Sequence, residues 1–287
     1  MKTEAAKWAN AHLSGSPYYV ANGSEETIFL AAATQGLPVM LKGPTGCGKT
    51  RFVEAMAHRL GRPLVTVACH DDLTAADLVG RHLLKGGETV WVDGPLTRAV
   101  REGAMCYLDE VVEARQDTTV VLHPLADHRR ELYIERLGLS LRAADGFMLV
   151  VSYNPGYQSV LKDLKDSTRQ RMVGIDLNYL PAAVEEQVIV HESGISLGMA
   201  QALVALATAI RRLDSDTVRE VASTRTLVSA ARLIAAGVAP RDAAVAAVAV
   251  PLSDEVSTVE GLSELIDVFV PMESAARSGR SAEHLSA

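Results

Sequence analysis

Between residues 37 and 177 short apolar runs alternate with amphipathic stretches. The runs 37–42, 64–68, 104–108, 147–152 and 173–177 are apolar almost throughout rather than at every second position. That pattern predicts strands buried on both faces, the habit of a parallel sheet. Ser24, followed by Glu25 and Glu26, predicts a capped helix to Gln35. Segment 49–60 reads as a helix stopped by Gly61, with Pro63 barring its continuation. Segments 95–102 and 118–126 also read as helices. Past Pro181 the alternation ends: 183–191, 197–212, 223–236, 241–250 and 258–269 all carry helical spacing, with no strand among them. The expectation is an α/β core over 1–180, a parallel sheet flanked by helices. A small all-helical lid follows over 181–272, and a polar tail over 273–287.

Composition narrows the class. Hydrophobic residues make up 48% of the 287, which argues against wholesale disorder. The formal net charge is −7, whereas proteins that grip nucleic acid carry a basic surplus, so no nucleic-acid partner is expected. The longest apolar run, 243–250, is far short of the roughly 20 residues a membrane helix needs. Cys47, Cys69 and Cys106 form no CxxC pair, and free thiols fit a reducing compartment. Cytoplasmic residence with no membrane partner is the expectation. His70, Asp71 and Asp72, with His82 and His123, match no standard metal spacing and are assigned structural roles.

Gly43-Pro44-Thr45-Gly46-Cys47-Gly48-Lys49-Thr50 matches G-x-x-x-x-G-K-[ST] in full, after one expected strand and at the start of a helix. Each residue type has a reason. Glycines let main-chain N–H groups approach phosphate oxygens, and the helix N-terminus adds partial positive charge. The Lys49 ammonium neutralises phosphate charge, and the Thr50 hydroxyl is placed to bind Mg²⁺. Arg51, next on the helix, is counted with the nucleotide-binding set. The fold expected of this motif is the P-loop NTPase, with ATP and Mg²⁺ as cofactors.

The run Met105-Cys106-Tyr107-Leu108 ends in Asp109 and Glu110. In such folds a second strand, expected to end beside the first, presents an acid to the metal. Asp109 is assigned to Mg²⁺ and Glu110 to the attacking water as general base. Asn154 ends a further strand, where it is placed to orient the water or touch the γ-phosphate. Arg169 and Arg171 fall on a helix-like stretch, 165–172, from which either can reach a neighbouring subunit's phosphate. Arg225 opens a helix, where a cation opposes the helix dipole unless a phosphate holds it.

Two turn-centred segments, 81–93 around Lys85-Gly86-Gly87-Glu88 and 131–141 around Leu137-Gly138-Leu139, read as β-hairpins. A minimal nucleotide fold needs neither, and such insertions are where an engine meets its target.

The order of these pieces resembles the AAA+ ATPases of the MoxR group, with the hairpins similar to its helix-2 insert and pre-sensor-1 hairpin. Ala68-Cys69-His70-Asp71-Asp72-Leu73, Asp93-Gly94-Pro95-Leu96-Thr97, Tyr107-Leu108-Asp109-Glu110-Val111-Val112-Glu113-Ala114-Arg115 and Ser152-Tyr153-Asn154-Pro155-Gly156-Tyr157-Gln158 resemble the CbbQ/NirQ/NorQ family. The resemblance implies a homo-hexameric ring, Asn154 as sensor 1, Arg225 as sensor 2, and Arg169 or Arg171 as arginine finger. It also implies a partner with a von Willebrand factor A domain, like CbbO. CbbQ members remodel inhibited Rubisco, whereas NorQ and NirQ members help mature nitric oxide or denitrification reductases. Overall similarity of the strings favours an ATP-driven remodeller of Rubisco, with reductase maturation as the alternative. A nucleotide-gated scaffold with little hydrolysis is the reading from another class. Glu110 argues against it, since a pure binder needs no catalytic base.

Overall fold

The computed structural model describes residues 16–155, 166–213 and 221–272. The expected tail lies outside these residues. The chain divides into two compact units: Met1–Pro44 with Lys49–Asn178, and Thr45–Gly48 with Tyr179–Ala287. The tip of the phosphate loop thus groups with the C-terminal helices rather than with the strand that precedes it.

The first unit is built on five parallel strands, β1 (Val39–Lys42), β2 (Leu64–Ala68), β5 (Met105–Asp109), β8 (Met148–Tyr153) and β9 (Val173–Asp176), in the order β2-β5-β8-β1-β9. The three inner strands β5, β8 and β1 carry the side chains buried most completely; every residue of β8 is buried. This is why they read as unbroken apolar runs. The expectation that the acid-bearing strand ends beside the loop-bearing one is corrected here: β8 lies between β1 and β5 and pairs with both. Parallel strands are joined by crossovers, so neighbours along the chain need not be neighbours in the sheet.

Helices α1 (Glu25–Gln35), α2 (Lys49–Leu60) and α4 (Pro95–Glu102) stand where expected. Ser24 precedes α1 but makes no side-chain cap. Instead the buried Glu25 carboxylate accepts from the Asn22 N–H (2.7 Å) and the Tyr19 hydroxyl (3.0 Å), which ties the incoming chain to the helix start. A short helix not expected, α3 (Ala75–Val79), begins at a capping box in which Thr74 and Asp77 satisfy each other's backbone N–H. The helix expected over 118–126 is shorter and earlier, α5 (Gln116–Val120). Residues 121–125 form turns instead, with His123 N–H bonded to the Val120 carbonyl (3.2 Å), and Pro124 has no N–H with which to continue the helix.

The insertions are hairpins: β3 (Gly80–Lys85) with β4 (Glu88–Asp93), and β6 (Glu131–Ile134) with β7 (Leu139–Arg142). They differ in anchorage. Leu132 and Ile134 bury the second hairpin in the first unit's core, whereas β3 is exposed from Arg81 onward. A four-residue helix, α6 (Asp166–Arg169), precedes β9.

The second unit is helical: α7 (Ala182–Ser193), α8 (Leu197–Ile210), α9 (Thr224–Ala235), α10 (Pro240–Ala244), α11 (Val250–Leu252) and α12 (Val256–Phe269). Alanines at 200, 207, 230, 231, 243, 244 and 249 are buried with larger aliphatics, and their small size permits close helix packing. Between α10 and α11 the chain widens into a π-helical turn, Val245–Ala249, where one helix over 241–250 was expected. Pro251 explains the widening: it cannot donate to the carbonyl four residues back and its ring would strike it.

Candidate nucleotide site

The loop's conformation follows from its glycines. Gly46 and Gly48 have φ of 70° and 99°, in the region that side chains disfavour. Lys49, at the start of α2, turns its ammonium back onto the Gly43 carbonyl (2.8 Å) and the Pro44 carbonyl (3.0 Å). The charge is thereby kept over the loop rather than released to solvent. Gly43 in turn donates to the Tyr153 carbonyl at the end of β8 (3.4 Å), which fastens the loop's root to the sheet.

Thr50 reaches past β8 to the end of β5. Its hydroxyl donates to Asp109 Oδ2 (3.3 Å), which brings together two of the residues assigned to magnesium. The other carboxylate oxygen is held from two sides: Tyr107 donates to Asp109 Oδ1 at 2.7 Å and Ser152 donates to it at 2.5 Å. Tyr107 is fully buried, and burial together with Asp109 raises its phenol well above the ordinary tyrosine range, so it stays a donor. Oδ1 is therefore committed inside the protein and Oδ2 faces Thr50. Hard oxygens from one hydroxyl and one carboxylate suit Mg²⁺, which keeps several waters and takes few protein ligands. The residues fit the ion.

Glu110 follows directly, and its backbone is unusual. With φ 54° and ψ 46° it occupies the left-handed region, shared among the described non-glycine residues by Arg130 alone. A residue with a side chain pays about 1–2 kcal/mol there. The Glu110 N–H donates to the Ser152 hydroxyl (3.1 Å), so one buried serine holds the backbone of the proposed base and the carboxylate of the proposed metal ligand. The turn sends the Glu110 side chain outward to an exposed position while Asp109 stays partly buried.

Cys69, whose N–H donates to the Asp109 carbonyl (2.9 Å), is buried beside these acids. Burial first, then Asp109 and Glu110, push its thiol up to about 12. Burial does the same to Cys106, also to about 12. Neither is a nucleophile at neutral pH.

The remaining assigned residues stand as follows. Asn154 comes one residue past the end of β8, half-buried. Arg51 pairs with Glu54 along α2 (3.7 Å). Arg169 ends α6 and pairs with Asp166 (2.7 Å). Arg171 lies beyond the helix, contrary to the expected helical stretch over 165–172, and its guanidinium donates to the Ser167 carbonyl. In the second unit Arg225 is the exposed second residue of α9, whose N-cap is Ser223. A Cβ on Gly46 would lie 2.5 Å from Ser223 Cβ and 3.5 Å from Arg225 Cβ, so the loop tip abuts the start of α9.

Tyr107 and Ser152 were not among the residues singled out from the sequence. The available signal was spacing: Tyr107 sits two before Asp109, on the same face of one strand.

Residues 38–172 match the AAA domain (dynein-related subfamily), and residues 185–269 match the CbbQ/NirQ/NorQ C-terminal family. The chain is 59% identical to the denitrification regulatory protein NirQ of Stutzerimonas stutzeri, covering 88% of this chain and 92% of that one. It is 58% identical to protein NorQ of Paracoccus denitrificans, over 87% of this chain and 93% of that one. To protein CbbQ of Hydrogenophilus thermoluteolus it is 54% identical, over 83% and 90%. No helix among the described residues is long and apolar enough to cross a membrane. A phosphate loop facing a buttressed acid pair, within a chain matched along both of its units, makes this protein an AAA ATPase of the CbbQ/NirQ/NorQ family.

Proposed function

We propose that the chain is the motor of a NirQ/NorQ-type chaperone, using ATP hydrolysis to mature a nitric oxide or denitrification reductase. It would work as a hexameric ring with a partner carrying a von Willebrand factor A domain. The single observation behind the ATPase chemistry is the Thr50–Asp109 contact (3.3 Å), with Ser152 joining Asp109 to Glu110. The choice of client rests on identity, 59% and 58% to NirQ and NorQ against 54% to CbbQ. That moves the reading away from the Rubisco client which the sequence strings alone favour. Rubisco remodelling stays as the second reading, since the CbbQ match spans 83% of the chain.

Bound ATP with magnesium supplies a phosphoanhydride whose cleavage powers the cycle. The Lys49 ammonium, poised on the Gly43 and Pro44 carbonyls, turns to the phosphates. Thr50 and Asp109 would hold the metal, which would neutralise phosphate charge; Glu110 would take the proton of the attacking water, and Asn154 would orient that water. Arg225 counters phosphate charge from the start of α9. Arg169 or Arg171 does so for the next subunit in the ring.

The test is a gene deletion with two readouts, nitric oxide reductase activity in membranes and Rubisco reactivation by the purified protein with its partner. Loss of reductase activity, restored by the wild-type gene but not by Glu110→Gln, is expected. Normal reductase activity in the deletion strain, with ATP-dependent Rubisco reactivation, would shift the function to the second reading.

A further inference from the structure

The helical unit contains a buried ion pair that the reaction, as derived so far, does not use. Glu185 on α7 is completely buried, and its carboxylate receives both terminal nitrogens of Arg211, each at 2.8 Å. It also accepts from the Thr224 hydroxyl at the first position of α9 (2.6 Å). Arg211 spends its Nε on the Ala222 carbonyl (2.7 Å), in the segment leading into Ser223. A buried carboxylate matched by a guanidinium and a hydroxyl is fully satisfied, and such a network fixes geometry more than it adds stability.

The network fixes two things. One is the start of α9, through Thr224 and Ala222. The other is Tyr179: the Arg211 guanidinium lies 4.0 Å from the centre of its ring. The Tyr179 hydroxyl donates to the Thr45 carbonyl, 2.9 Å away, at the tip of the phosphate loop. Gly46, the next residue, packs against Ser223 so closely that a Cβ would lie 2.5 Å from its hydroxyl. The loop tip is thus held at two adjacent residues by groups that answer to one ion pair.

We propose that Tyr179 is a positioning residue for ATP turnover: braced by Arg211 and Glu185, it fixes the Thr45 carbonyl so that the loop's main-chain N–H groups present a preformed phosphate cradle beside Arg225. The proposal rests on the reading of loop 43–50 as the nucleotide site. A peptide held at its carbonyl has its following N–H aimed as well, so losing that anchor leaves the amides to be ordered at the moment of binding. That cost falls on affinity rather than on the chemical step.

The test uses full-length protein, steady-state ATPase kinetics, binding of a fluorescent ATP analogue, and thermal melting. Tyr179→Phe removes the hydroxyl and keeps the ring under Arg211. It is expected to raise KM and the analogue's Kd about threefold to fivefold, the worth of one neutral hydrogen bond. Its kcat and melting temperature should stay at the wild-type values. Tyr179→Leu, which removes the ring as well, should raise KM further. Arg211→Lys should also raise KM, and the double variant with Tyr179→Phe should lose less than the sum, since both act through one ring. Wild-type KM and Kd in Tyr179→Phe would overturn the proposal, as would a rise in KM accompanied by a matching loss of melting temperature. Absence of ATP affinity in the wild-type protein would overturn it together with the reading it rests on, whereas normal wild-type affinity with an unaffected Tyr179→Phe defeats this proposal alone.

Discussion

The carboxyl end of the sheet and the β3–β4 hairpin differ in almost every physical respect. At the sheet's end, Tyr107 and Ser152 are buried and each spends its hydroxyl on one oxygen of Asp109. On the hairpin, Leu83, Leu84, Val90 and Val92 are exposed, Leu84 at 78%, and the strands pair mainly with each other. The first region is preorganised, so its polar groups cost little to align when the reaction needs them. The second turns these four side chains outward, with Trp91 the residue of the hairpin that packs on the core among the described residues. Chemistry is held rigid where burial over-determines it, whereas these exposed apolar side chains stand on a two-stranded extension with little packing to lose. Substitutions in the two regions should therefore leave different signatures.

The largest effect is expected from Glu110→Gln. It keeps the shape and removes the proposed base, so turnover should fall by about 10²–10⁴-fold with ATP binding retained. Single-turnover phosphate release, beside equilibrium binding, separates the two. Ser152→Ala comes next. It removes one of the two donors on Asp109 Oδ1 and the acceptor of the Glu110 N–H, which should cost roughly 1–3 kcal/mol of stability and about tenfold in turnover. Tyr107→Phe removes one bond from Oδ1 and leaves Ser152 in place, so a smaller drop of a few-fold is expected, seen best as weaker Mg²⁺ dependence of the rate. At the small end, Leu84→Ser on the hairpin should change basal ATPase and melting temperature little, within about 0.5 kcal/mol, while client remodelling falls. An equal loss of basal ATPase in Leu84→Ser would erase the contrast between the regions.

The thiols sharpen the same comparison. Cys69 and Cys106 are buried with pKa values pushed up to about 12, while Cys47 on the loop is partly exposed. Native protein at pH 8 should be alkylated at Cys47 first, as peptide mapping would show. The raised folded values also mean that stability conferred by the protonated thiols is intact below pH 9.0 and declines as pH rises towards 12.

The sheet was legible because its strands are buried on both faces and leave unbroken apolar runs; the phosphate loop was legible because its chemistry permits few residue types. Strand order was not, because position in a parallel sheet depends on crossovers that periodicity does not record. Helix α3 carried a signal, Thr74 followed three residues later by Asp77, but at five residues it is too short for a periodic face. The Glu185–Arg211 pair had no sequence signal, since its members stand 26 positions apart, one within α7 and the other just past α8. Tyr107 and Ser152 read as strand filler because a hydroxyl at a buried strand position looks like packing until its partner's position is known.

The central claim, that loop 43–50 holds adenine nucleotide against the Asp109–Glu110 acid pair, is tested most directly by titrating ATP with magnesium into the wild-type chain and into Lys49→Ala under identical conditions. Saturable binding by the wild type, lost or weakened by about two orders of magnitude in the variant, is the predicted result. Equal binding by both, or none by the wild type, would contradict it.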